Sequence, residues 1–288
     1  MLIRLMSYIG IFILCIFIEG CAKKVEILPS KFNDFKIVSL KNYEEITYDD
    51  FTNRLLKYDI VLLGEEHINT YHHIMQSKII QDLSNNLNLD IALEMFSSSH
   101  QDILDEAKHN FENISKSMLK KSLIWDDRWQ YSDYKTLIET IFYLLNTNIL
   151  GANLNKNEIS TIYKGAMALM GNLSTKKEIK DKIGDFIKST HDIQDEDILN
   201  KLIKIQQYKD RRMADILVHS KNKIVLIAGR YHVNKLSGVP LHIMDYKSKK
   251  NFVSVGLGFE NETIKDIKNG EFDFMIFFND YKESREVK

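Results

Sequence analysis

Four short apolar segments of the chain each end in polar or charged residues, and this recurring pattern predicts the fold. Consecutive apolar residues suit a strand that is buried on both faces of a parallel sheet, whereas apolar residues spaced three or four apart suit a helix. Segments with helical spacing separate the apolar runs. We therefore predict an α/β fold with a mainly parallel sheet flanked by helices. The four runs occupy residues 60–63, 90–96, 148–154 and 223–232.

The polar residues at the ends of these runs predict a pocket. Glu65 and His67 follow the first run, Glu94 lies in the second, and Asn153 lies in the third. His232 ends the fourth run. The carboxyl ends of parallel strands meet at one edge of a sheet, and ligands bind in the crevice beyond that edge. We therefore expect these side chains to lie close together.

Three further residues are candidates for the same pocket. His72 and His73 lie near the start of a predicted helix over residues 71–87. Adjacent helical residues point about 100° apart, so we expect only one of the two histidines to face the pocket. Arg212 lies in the helix that precedes the fourth strand and can serve an anionic group. A solvated helix face is the alternative interpretation of this arginine.

The helical segments predict a subdomain inserted into the sheet domain. Residues 97–133 and 155–213 are helical in pattern, and they contain more helices than simple crossovers need. One helix is predicted over residues 155–172. The α/β domain then comprises residues 37–96, 134–154 and 214–288, with residues 35–40 as a short edge strand and late strands over residues 252–258 and 272–278.

The first 36 residues predict export and a lipid anchor. Arg4 precedes an apolar run over residues 6–18, which is the pattern of a signal peptide ending at residue 20. Cys21 follows a small residue, as in the lipobox of bacterial lipoproteins, and is the predicted lipidation site at the start of a tether over residues 21–36. We expect a cell-envelope protein that is lipid-anchored to the outer membrane. A plain signal peptide or an ordinary membrane anchor is the alternative.

Composition narrows the classes of function. The 288 residues include 39 basic and 40 acidic residues, a net charge of −1, so no overall field attracts nucleic acid and we expect no such partner. Both cysteines lie within the first 21 residues, which leaves the predicted domains without a disulfide or a thiolate metal site. The chain has none of the HExxH, GxSxG, P-loop or GxGxxG motifs.

The predicted pocket residues permit two kinds of chemistry. Imidazole and carboxylate ligands suit zinc, iron or manganese, so Glu65, His67 and His232 are candidate ligands of a divalent metal. Together with Glu94 the same residues can act in general acid–base catalysis. A metal-dependent hydrolase that uses these four residues is therefore one hypothesis. A structural envelope lipoprotein without a working pocket is another.

Six short motifs, in this order, resemble the ChaN-like haem-binding lipoproteins, which belong to a wider group with erythromycin-esterase-like and TraB/Tiki-type proteins. The motifs are GEEHINTYHH (64–73), ALEMF (92–96), GANL (151–154), RRMA (211–214), AGRYHV (228–233) and GVP (238–240). The resemblance implies a lipoprotein that binds haem for haem or iron acquisition. It also implies tyrosine ligation of haem between two subunits, a homodimer formed with haem, and an outer-membrane haem or iron receptor as partner.

The shared motifs contain no fixed tyrosine, so the haem ligand must be chosen by chemistry. A tyrosine that binds ferric haem needs a cation or histidine nearby to favour its phenolate form. Tyr231 is flanked by Arg230 and His232 and is the first candidate. Tyr163, followed by Lys164, is the second. Lys164 and Arg212 are candidates to meet the haem propionates. Packing in the core is the alternative role for either tyrosine.

Overall fold

One eight-stranded sheet runs through the part of the protein that the structure, a computed structural model, describes: residues 35–85 and 87–278. The predicted α/β fold with a mainly parallel sheet is confirmed. The sheet order is β2-β1-β8-β7-β3-β6-β4-β5. The strands are β1 (Phe35–Ser39), β2 (Glu44–Ile46), β3 (Ile60–Glu65), β4 (Leu89–Ser97), β5 (Thr147–Asn153), β6 (Lys223–Gly229), β7 (Phe252–Leu257) and β8 (Phe274–Phe278).

The strand pairing places the carboxyl ends of β3, β4, β5 and β6 at one edge of the sheet. Strand β6 pairs in parallel with both β3 and β4, and β4 pairs in parallel with β5. On the other side of β3, β7 and β8 continue the parallel order. Strand β1 is antiparallel to β8 and is covered by β2, so the segment predicted as an edge strand has a neighbour on each side.

Helices cover both faces of the sheet. Apolar residues alternate along β3, where Val61 and Leu63 face one core and Ile60 and Leu62 face the other. Helices α1 to α5 pack on the first face, and α8 and α9 pack on the second. The helices are α1 (Tyr48–Leu55), α2 (Thr70–Ser84), α3 (Gln101–His109), α4 (Lys116–Ser122), α5 (Tyr131–Tyr143), α6 (Lys156–Gly165), α7 (Lys177–Thr190), α8 (Glu196–His219) and α9 (Val239–Asp245).

Helices α6 and α7 pack against α8 in two small apolar clusters outside the main cores. Ile183 of α7 meets Ile203 of α8 in one cluster, and Ile162 of α6 meets Ile205 of α8 in the other. Helix α8 therefore joins these helices to the sheet. Among residues 35–85 and 87–278, no helix has both the length and the apolar character needed to cross a bilayer.

The helix predicted over residues 155–172 is wrong in its second half. Helix α6 begins at a capping box formed by Asn155 and Glu158 and ends at Gly165, whose φ of 135° is strained for any residue with a side chain. The following segment, residues 166–171, is not helical. We call it the strap.

Side chains of α8 hold the strap in place by donating hydrogen bonds to its backbone carbonyls. The three donors lie on one face of α8, spaced four and three residues apart. Three contacts make the attachment: Lys204 Nζ to the Ala166 carbonyl (3.0 Å), Tyr208 Oη to the Met167 carbonyl (2.8 Å) and Arg211 to the Met170 carbonyl (3.1 Å). These bonds satisfy backbone acceptors that a continued helix would have satisfied internally, which compensates for the early end of α6.

Candidate functional site

A buried group of acids and histidines lies at the carboxyl edge of β3, β6 and β4. Because β6 lies between the other two strands, the residues that end or follow these strands meet there. Asp210 of α8, His73 of α2 and Tyr134 of α5 complete the group. We call it the acid–histidine cluster, and its members are Glu65, His67, His73, Glu94, Tyr134, Asp210 and His232.

Glu65 is the centre of one half of the cluster. Its Oε1 accepts a hydrogen bond from the Tyr134 hydroxyl at 2.5 Å and lies 3.1 Å from His67 Nδ1 and 3.5 Å from His73 Nε2. Burial alone would raise the pKa of Glu65. The charge of His73 and the hydrogen bond from His67 outweigh burial and hold this pKa below its usual range. Glu65 is therefore a buried carboxylate.

His232 is the centre of the other half. Its Nε2 lies 3.2 Å from Glu94 Oε1, and its Nδ1 lies 2.5 Å from Asp210 Oδ1. Burial would lower the pKa of His232, but the charges of Glu94 and Asp210 dominate and raise it to about 10. The imidazolium then donates to both carboxylates, and it holds the pKa of Glu94 below its usual range against the opposing effect of burial. Gly229 N also donates to Glu94 Oε2, at 2.9 Å.

His67 is the accessible member of the cluster, with 38 % of its side chain exposed. Its ring meets the edge of Trp129, and its Nε2 lies 3.9 Å from Glu94 Oε2. A Cβ at Gly229 would lie 2.8 Å from that nitrogen, so glycine leaves room for the ring. Burial lowers the pKa of His67, but the hydrogen bond to Glu65 and the charge of Glu94 raise it above the usual value. This arrangement can exchange a proton with a molecule at the rim.

The structure separates the two adjacent histidines. His73 lies in the cluster, where its ring stacks on Tyr134 with centroids 4.1 Å apart and its Nδ1 donates to the Asp133 carbonyl. His72 lies outside the cluster: its Nδ1 accepts from the Glu66 amide and its Nε2 donates to the Gly258 carbonyl. Burial lowers the pKa of His72 to about 3, so it is a neutral core histidine.

Asn153 and Arg212 support the site from outside. The Asn153 amide donates to the backbone carbonyl of Glu94 at 2.9 Å, which fixes the end of β4 against β5. Arg212 pairs with Glu158 at 2.7 Å and also contacts Ser98, so it joins α8 to α6 and is not part of the acid–histidine cluster. Its guanidinium is therefore committed to a protein carboxylate.

Two members of the cluster, Tyr134 and Asp210, were missed as site residues. Aromatic residues crowd the sequence around Tyr134, a pattern that is typical of core packing and carries no signal for a polar site. Asp210 lies on the face of α8 that also carries Ile203, Met213 and Leu217, all of them buried. An acid at a core position of an amphipathic helix was the signal for it, since a buried charge requires a partner.

The structure does not support the predicted divalent-metal site. Within residues 35–85 and 87–278, no three His, Cys, Asp or Glu side chains are arranged to hold a metal ion. The nearest carboxylate to His67 is Glu65, with Glu94 farther away at 3.9 Å, whereas the two ring nitrogens of His232 face Glu94 and Asp210. Glu65 and His232 therefore belong to separate halves of the cluster and do not converge with His67 on one point.

The two candidate haem tyrosines lie in different surroundings. Tyr231 is 40 % exposed, and its ring stacks on Phe186 with centroids 3.5 Å apart. Its neighbour Arg230 is buried in an ion pair with Glu262, and His232 is buried in the cluster. Tyr163 is 39 % exposed, and Lys201 Nζ lies 5.1 Å from the centre of its ring. Lys164, next to Tyr163, is exposed.

The fold and the site together define a class: α/β proteins with a cluster of acids and histidines at the carboxyl edge of a parallel sheet. The sequence model of the family described as "Haem-binding uptake, Tiki superfamily, ChaN" matches residues 51–243. The chain belongs to this family. No curated protein matches it significantly.

One solved structure is closely similar to the chain. It is described as cofacial haem binding to ChaN of Campylobacter jejuni, with 40 % sequence identity and a TM-score of 0.81, and the match covers 86 % of this chain and 98 % of that one. The type III effector HopBA1 and a Bacillus cereus protein each share 13 % identity, with TM-scores of 0.47 and 0.45. Those matches cover 81 % and 84 % of this chain and 93 % and 92 % of the other chains. They carry no functional argument.

Proposed function

We propose that this protein binds haem and takes part in haem or iron acquisition at the cell envelope. The family and the 40 % identity to a ChaN that binds haem cofacially support the proposal. Haem needs a flat apolar surface, an iron ligand and a cation for its propionates. The acid–histidine cluster supplies no flat apolar surface, because its members other than His67 are buried against one another.

The observation that carries the proposal is an exposed apolar surface at the strap. Met167 and Met170 are 86 % and 87 % exposed, and Tyr163 precedes them at the end of α6. Exposed apolar side chains that form a contiguous patch mark interaction sites. Methionine adapts to an aromatic surface through its polarisable sulfur. We call Tyr163, Met167 and Met170 the Tyr–Met face, and we propose that it contacts the porphyrin.

The rigid attachment of the strap strengthens this proposal. Lys204, Tyr208 and Arg211 hold the strap backbone while the methionine side chains remain exposed. Lys201, one turn earlier on the same face of α8, lies over the ring of Tyr163. A surface fixed before binding loses less conformational entropy when the ligand arrives. The geometry therefore favours an organised haem-binding face.

Tyr163 becomes the first candidate for the iron ligand. Lys201 Nζ lies 5.1 Å from the centre of its ring, in a surface ion pair with Asp197. The charges that favoured Tyr231 are engaged with Glu262, Glu94 and Asp210. Arg212 is paired with Glu158, which leaves the exposed Lys164 as the better candidate for a propionate.

A second copy of the chain is the proposed means of covering the rest of the haem. An open face such as the Tyr–Met face covers one side of a porphyrin, and the similar Campylobacter protein binds haem cofacially. Two copies, each with a haem on this face, would bury both haems between them. A ligand that binds the dimer more tightly shifts the equilibrium toward it, so haem should drive dimerisation.

Haem titration of a chain beginning after Cys21 tests the proposal. We expect a saturable Soret band and a doubled mass in sedimentation. Tyr163→Phe should remove the phenolate-to-iron charge-transfer band, while Tyr43→Phe, at an exposed tyrosine in a turn of the β1–β2 connection, should not.

Met170→Ala should weaken haem binding by about tenfold or more, because burial of a methionine side chain contributes about 1.5–3 kcal/mol.

Three results would contradict parts of this proposal. Absence of a Soret change would refute haem binding itself. A monomeric mass at haem saturation would refute the dimer. An unchanged spectrum in Tyr163→Phe would exclude Tyr163 as the ligand, and the same measurement on Tyr231→Phe would then decide for or against Tyr231.

We further propose that Cys21 carries the lipid anchor in the outer membrane, and that an outer-membrane haem or iron receptor is a partner. Arg4, the apolar run and Cys21 support export and lipidation; residues 1–34 lie outside the described residues. Cys21→Ala should abolish labelling by a fatty acid and release the protein from the membrane fraction. Labelling that persists in this variant would refute the assignment.

A further inference from the structure

A second candidate binding site lies at the carboxyl edge of β4 and β5. It is a cavity of about 350 Å³ that uses none of the residues of the Tyr–Met face. Phe96, Trp125 and Leu154 give it apolar walls, and Glu94 forms part of its lining. Its volume falls at the lower end of the range of about 300–1,000 Å³ for small-molecule sites. A small organic molecule therefore suits this cavity better than a macromolecular segment.

An unusual helix end lies at this cavity. Helix α4 ends at Ser122, and the next turn closes with two bonds: Ile124 N to the Lys121 carbonyl (3.0 Å) and Trp125 N to the Lys120 carbonyl (3.1 Å). This pattern is a Schellman motif, which places one residue in the left-handed region and favours glycine there. Here that residue is Ile124, with a φ of 45°.

Both the backbone conformation of Ile124 and the exposure of its side chain are therefore unfavourable. A β-branched residue in the left-handed region is an outlier, and its apolar side chain is 59 % exposed beside the cavity. Departures from local rules without a packing benefit are expected at functional sites. Contact of the Ile124 side chain with a bound apolar group would provide the benefit that the protein alone does not show.

The charged residues that line the cavity favour an anion. Arg128 and Lys156 contribute two positive charges, and Glu94 and Asp126 contribute two negative ones, of which that of Glu94 is offset by the adjoining His232. Asp126 accepts from Arg128 Nε and Nη2, and the described residues provide no hydrogen-bond partner for Arg128 Nη1. Glu94 is already bound by His232 and the Gly229 amide. An anionic group should therefore lie toward Arg128 and Lys156, away from Glu94.

We propose that this cavity binds a small organic acid, whose carboxylate meets Arg128 and Lys156 and whose apolar ring or short chain packs on Trp125, Phe96 and Ile124. The bound molecule reaches the acid–histidine cluster at Glu94, next to His67. This site is independent of the haem proposal, because the two sets of residues do not overlap.

Tryptophan fluorescence of the full-length protein provides a direct measurement. The two tryptophans of the chain are Trp125, in the cavity wall, and Trp129, which contacts His67. The probe is cyclohexanecarboxylate, and cyclohexanecarboxamide is its uncharged counterpart. We expect a saturable fluorescence change with the carboxylate and binding about tenfold weaker with the amide, since charge-assisted hydrogen bonds are the stronger kind. Equal affinity for the two probes, or no saturation with either, would overturn the proposal.

Variants separate the proposed contacts from general effects on the fold. Arg128→Gln and Lys156→Gln should each weaken binding of the carboxylate severalfold, whereas Lys135→Gln, at an exposed lysine of α5, should not. Ile124→Gly should raise the midpoint of thermal unfolding and at the same time weaken binding. Unchanged binding in Ile124→Gly or in both charge variants would contradict the proposed contacts.

A haem titration in the presence of saturating cyclohexanecarboxylate tests whether the two sites are separate. Haem affinity should be unchanged. Competition between the two ligands would show that the cavity belongs to the haem site and would overturn the inference of a second one. Failure of haem to bind at all, with the carboxylate still bound, would refute the proposed haem function and leave this inference intact.

Discussion

Replacement of His232 with leucine is expected to lower the free energy of unfolding by about 3–5 kcal/mol, the cost of leaving buried charges without their partner. His232 is the cation between Glu94 and Asp210, and all three side chains are buried. Without the imidazolium, two carboxylates face each other in a region of low polarity. One of them should then take up a proton, so the loss of stability should be smaller at pH 5 than at pH 8.

Urea unfolding of the unsubstituted protein and three variants at both pH values measures this effect. The control is His219→Leu, which removes an exposed histidine near Asp215 and should change stability by less than about 1 kcal/mol. The combined variant His232→Leu with Glu94→Gln removes one of the two stranded charges and should recover part of the loss. A His232→Leu protein as stable as the His219→Leu control would show that the pair of carboxylates does not depend on this cation.

Acidification from pH 6.5 to 4.5 is expected to destabilise the protein by about 5 kcal/mol through two buried histidines. Burial lowers the pKa of His72 to about 3, and burial together with Arg211 lowers that of His242 to about 3. The unfolded chain takes up these protons near pH 6.5 and the folded protein does not, so stability falls as pH drops through this window. Each histidine contributes about 2–3 kcal/mol over two pH units.

Four members of the acid–histidine cluster act outside that window. His232 and His67 have raised pKa values, so their contribution is complete below pH 6.5 and is lost as pH rises, for His232 toward about 10. The depressed pKa values of Glu65 and Glu94 give stability that is lost only as pH falls below about 4.5. Burial raises the pKa of Asp210, so its uptake of a proton opposes the loss in this interval, and comparison with a histidine variant is needed to separate the two effects.

Unfolding free energies of His72→Gln across this interval provide the test. This variant should lose about half of the pH dependence, because one of the two neutral histidines remains. His191→Gln, at an exposed position, is the matched control. A flat stability profile of the unsubstituted protein between pH 6.5 and 4.5 would contradict the assignment of His72 and His242 as neutral core groups.

The sequence by itself determined the strands and the edge at which the site lies. The apolar runs before Glu65, around Glu94 and before Asn153 predicted β3, β4 and β5, because burial on both faces requires consecutive apolar residues. Parallel pairing then placed the strand ends together, and helical geometry predicted that only one of His72 and His73 would face the site. These features follow from the order of apolar and polar residues within single segments of about ten to fifteen residues.

Only the tertiary structure decided which of these residues touch. The lateral position of β6, between β3 and β4, brings His232 to Glu94, and contact between α8 and the sheet adds Asp210. The end of α6 at Gly165 depended on side chains about 40 residues later in the chain, which donate hydrogen bonds to the carbonyls of the strap. Strand order and side-chain partners of this kind depend on contacts between distant segments, and no local pattern of apolar and polar residues records them.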